Sequence, residues 1–311
     1  MINAFATTIP ILVLVLLGYL GRRWAIVRPE SIPDLKSLVI HLALPLVVFR
    51  VFGTMQFEAR FLVILLIMFG SCSLVYFGLR WLGKRSSDLS IVTPFLFAGF
   101  EAGMVGYAVY GAAYGANQIS RFAVIDLGHV LFIFFILVTG MEGLQQKQRT
   151  IKDQIAGFIK TPVIIGIVGG LIFNVTGLYR LMQSNPISSS ILSGLDTMSH
   201  ITLALVAFII GYELQFSRDV IGKAFVTAAI RYAFWLLFAL VVNRLVIVNL
   251  LHLDEGYQAA MLLMATLPVP YIVPIYLKNI DRSDHDYVLN TLAIGTVLFL
   301  LGLVVIKFVY P

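Results

Sequence analysis

Long apolar runs separated by short polar joints dominate this chain. Ten segments are each mostly apolar and about as long as a bilayer-crossing helix requires. They are 2–21, 33–53, 60–80, 91–111, 119–141, 156–176, 190–211, 221–243, 257–277 and 287–308. The runs are continuous and lack the apolar–polar alternation of barrel strands. The pattern therefore predicts an all-α membrane protein with ten transmembrane helices.

The pattern also repeats. His41-Leu-Ala-Leu-Pro-Leu-Val-Val-Phe49 is echoed by His200-Ile-Thr-Leu-Ala-Leu-Val-Ala-Phe208, with five of nine positions identical. At the same offset Gln56-Phe57 falls on Gln215-Phe216, and Pro10 and Gly18 are spaced as Pro162 and Gly170 are. Two five-span halves follow, roughly 1–143 and 152–311. Five is odd, so the second half enters the membrane in the opposite sense and the repeat is inverted. Transporter folds are commonly built this way around a central site.

Composition sharpens the class. The chain is 59% hydrophobic and 12% charged, against about 25% charged in soluble domains. Loops after spans 1, 3, 5, 7 and 9 carry fifteen Lys and Arg, the opposite loops six, and Arg231 stays inside span 8. The positive-inside rule then puts both termini outside the cytoplasm. The basic excess is a topology signal, so no nucleic-acid partner is expected. The N-terminus lacks a basic n-region and a clear cleavage site, and it reads as the first span. Cys72 is the single cysteine, which excludes an internal disulfide and a multi-cysteine zinc site. No metal and no cofactor are expected.

Two spans look interrupted. Span 4 carries Gly99, Gly103, Gly106 and Gly111, with Glu101 at mid-depth. Span 9, its repeat partner, reads Leu267-Pro-Val-Pro-Tyr-Ile-Val-Pro274. Pro268, Pro270 and Pro274 each remove a backbone donor and push the preceding residue out of helical geometry. Interrupted spans at matching places in two halves point to a transport site. The expected solute-binding residues are Glu101, Gly103, Gly106, Pro268, Pro270 and Tyr271.

Glu101, Asp126, His129 and Arg231 are the membrane-embedded ionisable residues, all in spans 4, 5 and 8. They are the candidates for ion or proton coupling. Asp126 and His129, three apart, share a helix face. Each has a structural alternative. Glu101 either titrates or pairs with Arg231; Arg231 either holds a solute carboxylate or serves as glue, and the glue is slightly favoured. His41 and His200 recur through duplication and are given no chemistry. Asn174-Val-Thr176 fits a glycosylation sequon by chance, and Asp281-Arg-Ser-Asp-His-Asp286 reads as a hydrated loop that caps the last helix.

The same residues resemble a known family. Leu17-Gly-Tyr-Leu-Gly-Arg-Arg23, Leu42-Ala-Leu-Pro-Leu-Val-Val-Phe49, Gly99-Phe-Glu-Ala-Gly-Met-Val-Gly106, Phe122-Ala-Val-Ile-Asp-Leu-Gly-His129 and Met264-Ala-Thr-Leu-Pro-Val-Pro270 are similar in order and spacing to segments of the auxin efflux carrier family. The resemblance covers nearly the whole chain. It implies a scaffold of spans 1, 2, 6 and 7 and a transport domain of spans 3–5 and 8–10. Spans 4 and 9 would unwind and cross there, and organic anions would move by an elevator-like alternation. Two positions depart from the family: Glu101 stands at its crossover asparagine and Ala108 at its following proline.

The expected function is therefore secondary transport of a small organic solute, an organic anion such as a dicarboxylate, with proton or sodium coupling. The expected setting is a bacterial inner membrane, with lipid as solvent and a homodimer through the scaffold spans. A transporter-like receptor is the alternative. An enzyme is not expected, because His-Glu-x-x-His, Gly-x-Ser-x-Gly, paired Asp-Asp and the Gly-x-x-x-x-Gly-Lys-Ser/Thr phosphate loop are all absent.

Overall fold

A computed structural model describes residues 2–85, 89–144, 151–214, 216–277 and 280–311. The described residues are all-helical apart from turns and short extended joints. In chain order the helices are α1 (Ile2–Arg23), α2 (Ser31–Thr54), α3 (Phe61–Gly83), α4 (Thr93–Ala98), α5 (Tyr107–Tyr114) and α6 (Ala116–Leu144). Then follow α7 (Ile151–Ile159), α8 (Pro162–Val175), α9 (Leu178–Ser184), α10 (Pro186–Glu213) and α11 (Ile221–Val248). The last are α12 (Glu255–Thr266), α13 (Ile272–Tyr276) and α14 (Arg282–Val309).

Among the described residues six stretches can cross a membrane by length and composition: α2, α3, Thr93–Tyr114, α6, α11 and α14. The pair α8 and α9, bent by 78°, would add a seventh as one span. Outward faces suit lipid: Leu66 and Leu74 on α3, Leu237 on α11 and Leu301 on α14 are all more than 60% exposed. In water such a surface would aggregate.

One expected boundary moves. The run 156–176 is not one helix, because α7 stops at Ile159 and α8 starts at Pro162. Thr161, at ψ 128°, is held extended by the proline ring that follows it, and Pro162 then opens the new helix, where its missing N–H is harmless. Asp281 sits at the start of α14 as expected, but its side chain makes no capping bond there.

Packing sorts the helices into two sets. α1 lies on α10, α8 lies on α2, and α2 touches α10. α3 packs on α4 and α6, α11 on α12 and α14, and α12 on both α6 and α14. Small residues let the first set approach closely. A Cβ on Gly18 of α1 would strike the backbone carbonyl of Phe208 in α10. A Cβ on Gly170 of α8 would strike the carbonyl of Phe49 in α2. Gly18 and Gly170, like Phe49 and Phe208, are the paired positions of the sequence echo. Gly166 meets the Pro45 carbonyl and Gly211 the Val15 carbonyl in the same way. Close backbone approach at small residues is the usual glue between helices in lipid, where apolar burial gives no net drive.

Gly18→Val is expected to push α1 off α10 and destabilise the fold by about 1–3 kcal/mol, the usual penalty of overpacking. Thermal unfolding of the purified protein measures it. A variant with wild-type stability would mean that this crossing is loose.

Candidate functional site

The centre of the second helix set holds two interruptions. α4 ends at Ala98; Gly99 is extended at φ −112° and ψ 164°, and Glu101 lies at φ −82° and ψ 61°. A widened turn, Ala102–Gly106, then leads into α5. α12 ends at Thr266, and Leu267 is extended at ψ 145° before the proline run reaches α13. The breaks meet. The Glu101 N–H donates to the Pro268 carbonyl at 2.9 Å. A Cβ on Gly99 would fall 2.8 Å from Pro270 Cγ, so glycine permits the crossing.

Broken helices in an apolar interior leave backbone groups without partners, and each such group is costly. Four buried side chains supply them. Arg231, on α11, donates from one guanidinium nitrogen to the Gly99 carbonyl at 2.7 Å and from the other to the Leu267 carbonyl at 2.9 Å. Those carbonyls terminate α4 and α12, the negative ends of two half-helices. Trp235, one turn further on, donates from Nε1 to the Phe97 carbonyl at 2.8 Å. Glu101 does the converse: one carboxylate oxygen accepts the Tyr271 N–H at 2.6 Å and the other the Met104 N–H at 3.2 Å. These amides open the segments after the two breaks. Cation at the carbonyl ends and anion at the amide ends is the arrangement that helix dipoles favour.

His129 is the fourth. Its Nε2 accepts the Phe100 N–H at 3.0 Å, and its Nδ1 lies 2.9 Å from Asp126 Oδ1. An amide can only donate, so Nε2 carries no proton; the ring proton is on Nδ1 and points at Asp126. A second ring proton would face the Phe100 N–H. Asp126 and His129 therefore act together as an acceptor that serves the break. Aromatic rings close the cluster. Phe100 lies under the Arg231 guanidinium at 4.9 Å and meets Trp235 edge-on at 4.8 Å between centroids.

The remaining expected residues divide. Gly106 is pinned, since a Cβ there would strike the Phe122 ring, whereas Gly103 has room, with Leu44 3.7 Å away. The Tyr271 ring carries Lys36 Nζ 5.0 Å above it, and Lys36 pairs with Glu213 at 2.5 Å. The pairing of Glu101 with Arg231, one of the two sequence readings, does not form. Each of them bonds the backbone instead, because the breaks offer Arg231 two carbonyls and Glu101 two amides. The sequon residue Asn174 spends its amide on the carbonyls of Phe52 and Met55. The side chain of His200 lies outside the described residues, and those of the 281–286 stretch form no metal-binding group with neighbours among the described residues. Sequence reasoning missed Trp235, although its i+4 spacing from Arg231 places both on one helix face. It also passed over Arg50, which lines two cavities on the side of the chain that carries joint 55–60.

Membrane-length apolar helices and paired, side-chain-capped interruptions define an integral, multi-pass membrane protein of the transporter type. A family model described as "Membrane transport protein" matches residues 3–307. The chain belongs to that family, the auxin efflux carriers. Over 217 residues it is 26% identical to an uncharacterized transporter of Methanocaldococcus jannaschii, an alignment that spans 66% of this chain and 67% of the relative.

Arg231→Lys leaves one ammonium to serve two distant carbonyls, and Arg231→Met leaves both without a donor. The expected loss is about 1–3 kcal/mol for each buried group left unpaired, so Met should destabilise more than Lys. Thermal unfolding of the two variants tests it. Equal and negligible losses would mean that the carbonyls find other partners.

Proposed function

We propose that this chain is a secondary transporter that carries a small organic solute across the membrane by an elevator-type movement of one helix set against the other. The single observation that carries this reading is the meeting of the two breaks, with Glu101 bonded to Pro268 and Tyr271. Irregular backbone deep in a membrane protein is tolerated where it serves a binding site.

In this reading the chain is two inverted five-helix repeats, 1–143 and 152–311, with ten spans. The reciprocal glycine contacts support it: Gly18 lies on Phe208 and Gly170 on Phe49, so equivalent residues make the same contact twice. α1, α2, α8 and α10 form the scaffold, which also offers the surface for a homodimer. α3–α6 and α11–α14 form the moving body. The basic loops face the cytoplasm of a bacterial inner membrane, and both termini lie outside.

Glu101, Gly103, Gly106, Pro268, Pro270 and Tyr271 line the crossover in this reading. Proton coupling runs through Glu101. As a carboxylate it holds an amide of each broken segment. Protonated, it accepts more weakly and loosens the latch that ties Met104 to Tyr271. The charged groups acting on it from neighbouring elements are Lys36 on α2 and Asp126 on α6, with Glu213 of α10 paired to Lys36. Arg231 and the Asp126–His129 pair hold the backbone in place through the cycle. The solute is an organic anion, as in the family resemblance. The half-helix amide ends are already filled by Glu101, so its negative group is held elsewhere.

Glu101→Gln mimics the protonated acid. Solute uptake into proteoliposomes is expected to persist, with a flat pH profile and without accumulation driven by a proton gradient. A profile that keeps the wild-type pH dependence would remove Glu101 from the proton path.

A further inference from the structure

Two hollows flank the basic end of α3. One, of about 300 Å³, is walled by the end of α3, joint 89–91, the start of α4 and Leu144 of α6. The other, of about 290 Å³, lies on the outward face between Phe77, Arg80, Trp81 and Lys84. Arg80 and Lys84 belong to both, so their side chains form the ridge between the hollows. Four residues apart, they share a helix face.

The ridge is held from inside. Tyr76 is 1% exposed and meets the rings of Phe95 and Phe132 edge-on. Its hydroxyl accepts from Arg80 Nη1 at 3.0 Å. A Cβ on Gly140 of α6 would strike that hydroxyl, so glycine leaves the tyrosine its place. Arg80 is thus anchored by a buried ring while it is itself exposed, as are Lys84 and Arg85. The Arg85 guanidinium lies 3.9 Å over the Trp81 ring, and Trp81 is 52% exposed. Among the described residues none of these three cations pairs with a carboxylate. Away from the charges the same outward face continues with Phe77, Leu74 and Leu66, all exposed.

A helix dipole favours cations at its C-terminal end, which accounts for Arg80 and Lys84 one at a time. It gives no reason for an exposed tryptophan under Arg85, or for an apolar stripe that runs straight into the charges. Tryptophan beside cations, with aliphatic side chains beyond, is what a helix presents at the level of lipid headgroups. Clustered cations there attract anionic lipid.

We propose that the end of α3 binds one anionic phospholipid of the phosphatidylglycerol type. The Arg80 guanidinium and the Lys84 ammonium donate to the phosphate oxygens, and Arg85 closes the site from the Trp81 side. One acyl chain follows Trp81, Phe77, Leu74 and Leu66. The start of the other enters the inner hollow, against Leu79, Ile91, Phe95 and Leu144. A choline headgroup would add a fourth cation to three, so a zwitterionic lipid is disfavoured. All the walls belong to α3, α4, α6 and the joint between α3 and α4, so the lipid travels with that helix set. The site stands whether or not the chain carries a solute.

The test is lipid binding to the purified full-length protein in detergent at constant ionic strength, with bound lipid counted by native mass spectrometry. Phosphatidylglycerol, phosphatidylcholine and inorganic phosphate are titrated separately. One phosphatidylglycerol should bind at least tenfold more tightly than phosphatidylcholine. Each cation near an anionic headgroup is worth about fivefold, so Lys84→Gln should weaken binding about fivefold and the pair Arg80→Gln, Lys84→Gln about twenty-fivefold. Tyr76→Phe, which keeps every charge but releases Arg80, should weaken it about threefold. The pair Lys152→Gln, Lys160→Gln removes the same charge from another basic joint and should change it less than twofold. Unfolding temperatures check that each variant is folded, and Lys84→Gln, at an exposed position, carries the test if the double variant is not. Equal affinity for the two lipids would overturn the site, as would wild-type affinity in Lys84→Gln. An equal loss in the Lys152, Lys160 pair would reduce the effect to general surface charge and overturn it too. Inorganic phosphate binding as tightly as the lipid would make this a free-anion site and overturn the lipid.

Discussion

Backbone hydrogen bonding in an interior without water governs this structure. A continuous helix satisfies every internal amide and carbonyl, and a helix broken midway releases several at once. Around the two breaks the released groups are met by side chains of opposite character. Arg231 and Trp235 take the carbonyls, while Glu101 and His129 take the amides. The charges that look anomalous in an apolar chain are thus the condition for the breaks.

This division also explains why the ionisable residues ignore one another. An ion pair between Glu101 and Arg231 would neutralise two charges but leave carbonyls of Gly99 and Leu267 and amides of Met104 and Tyr271 bare. Several charge-assisted bonds to backbone outweigh one salt bridge whose partners must both be desolvated. Asp126 acts at one remove, by fixing which nitrogen of His129 is free to accept. Its role is that of a second-layer ligand in a metal site, with an amide in place of the metal.

Much of this was legible in the sequence, for reasons that can be named. Helix class followed from the length and continuity of the apolar runs. The breaks followed from Pro268 and Pro270 and from glycines around Glu101; Pro274, expected to break the span too, lies in the first turn of α13, where its missing N–H is harmless. The contact of Gly18 with Phe208 and of Gly170 with Phe49 was latent in the echo, because duplicated residues repeat their contacts. What stayed hidden depends on direction in space. Sequence shows that Glu101 and Arg231 are buried charges but not that each faces backbone. It places Arg50 near a membrane face but cannot show that α5 and α10 leave a hollow beside it. The split between α7 and α8 was written in Thr161-Pro162, yet the hydrophobic run masked it.

Glu101 behaves as a ligand that the chain carries within itself. Its carboxylate sits on paired amide ends, the place a free acid would otherwise seek. A side chain without an acceptor at position 101 would leave those amides unpaired in an apolar interior, which is costly. The acid at position 101 thus does for the amide ends what Arg231 does for the carbonyl ends: it completes the broken backbone from within the chain. Arg231 and Trp235 serve the opposite, carbonyl poles of the same breaks.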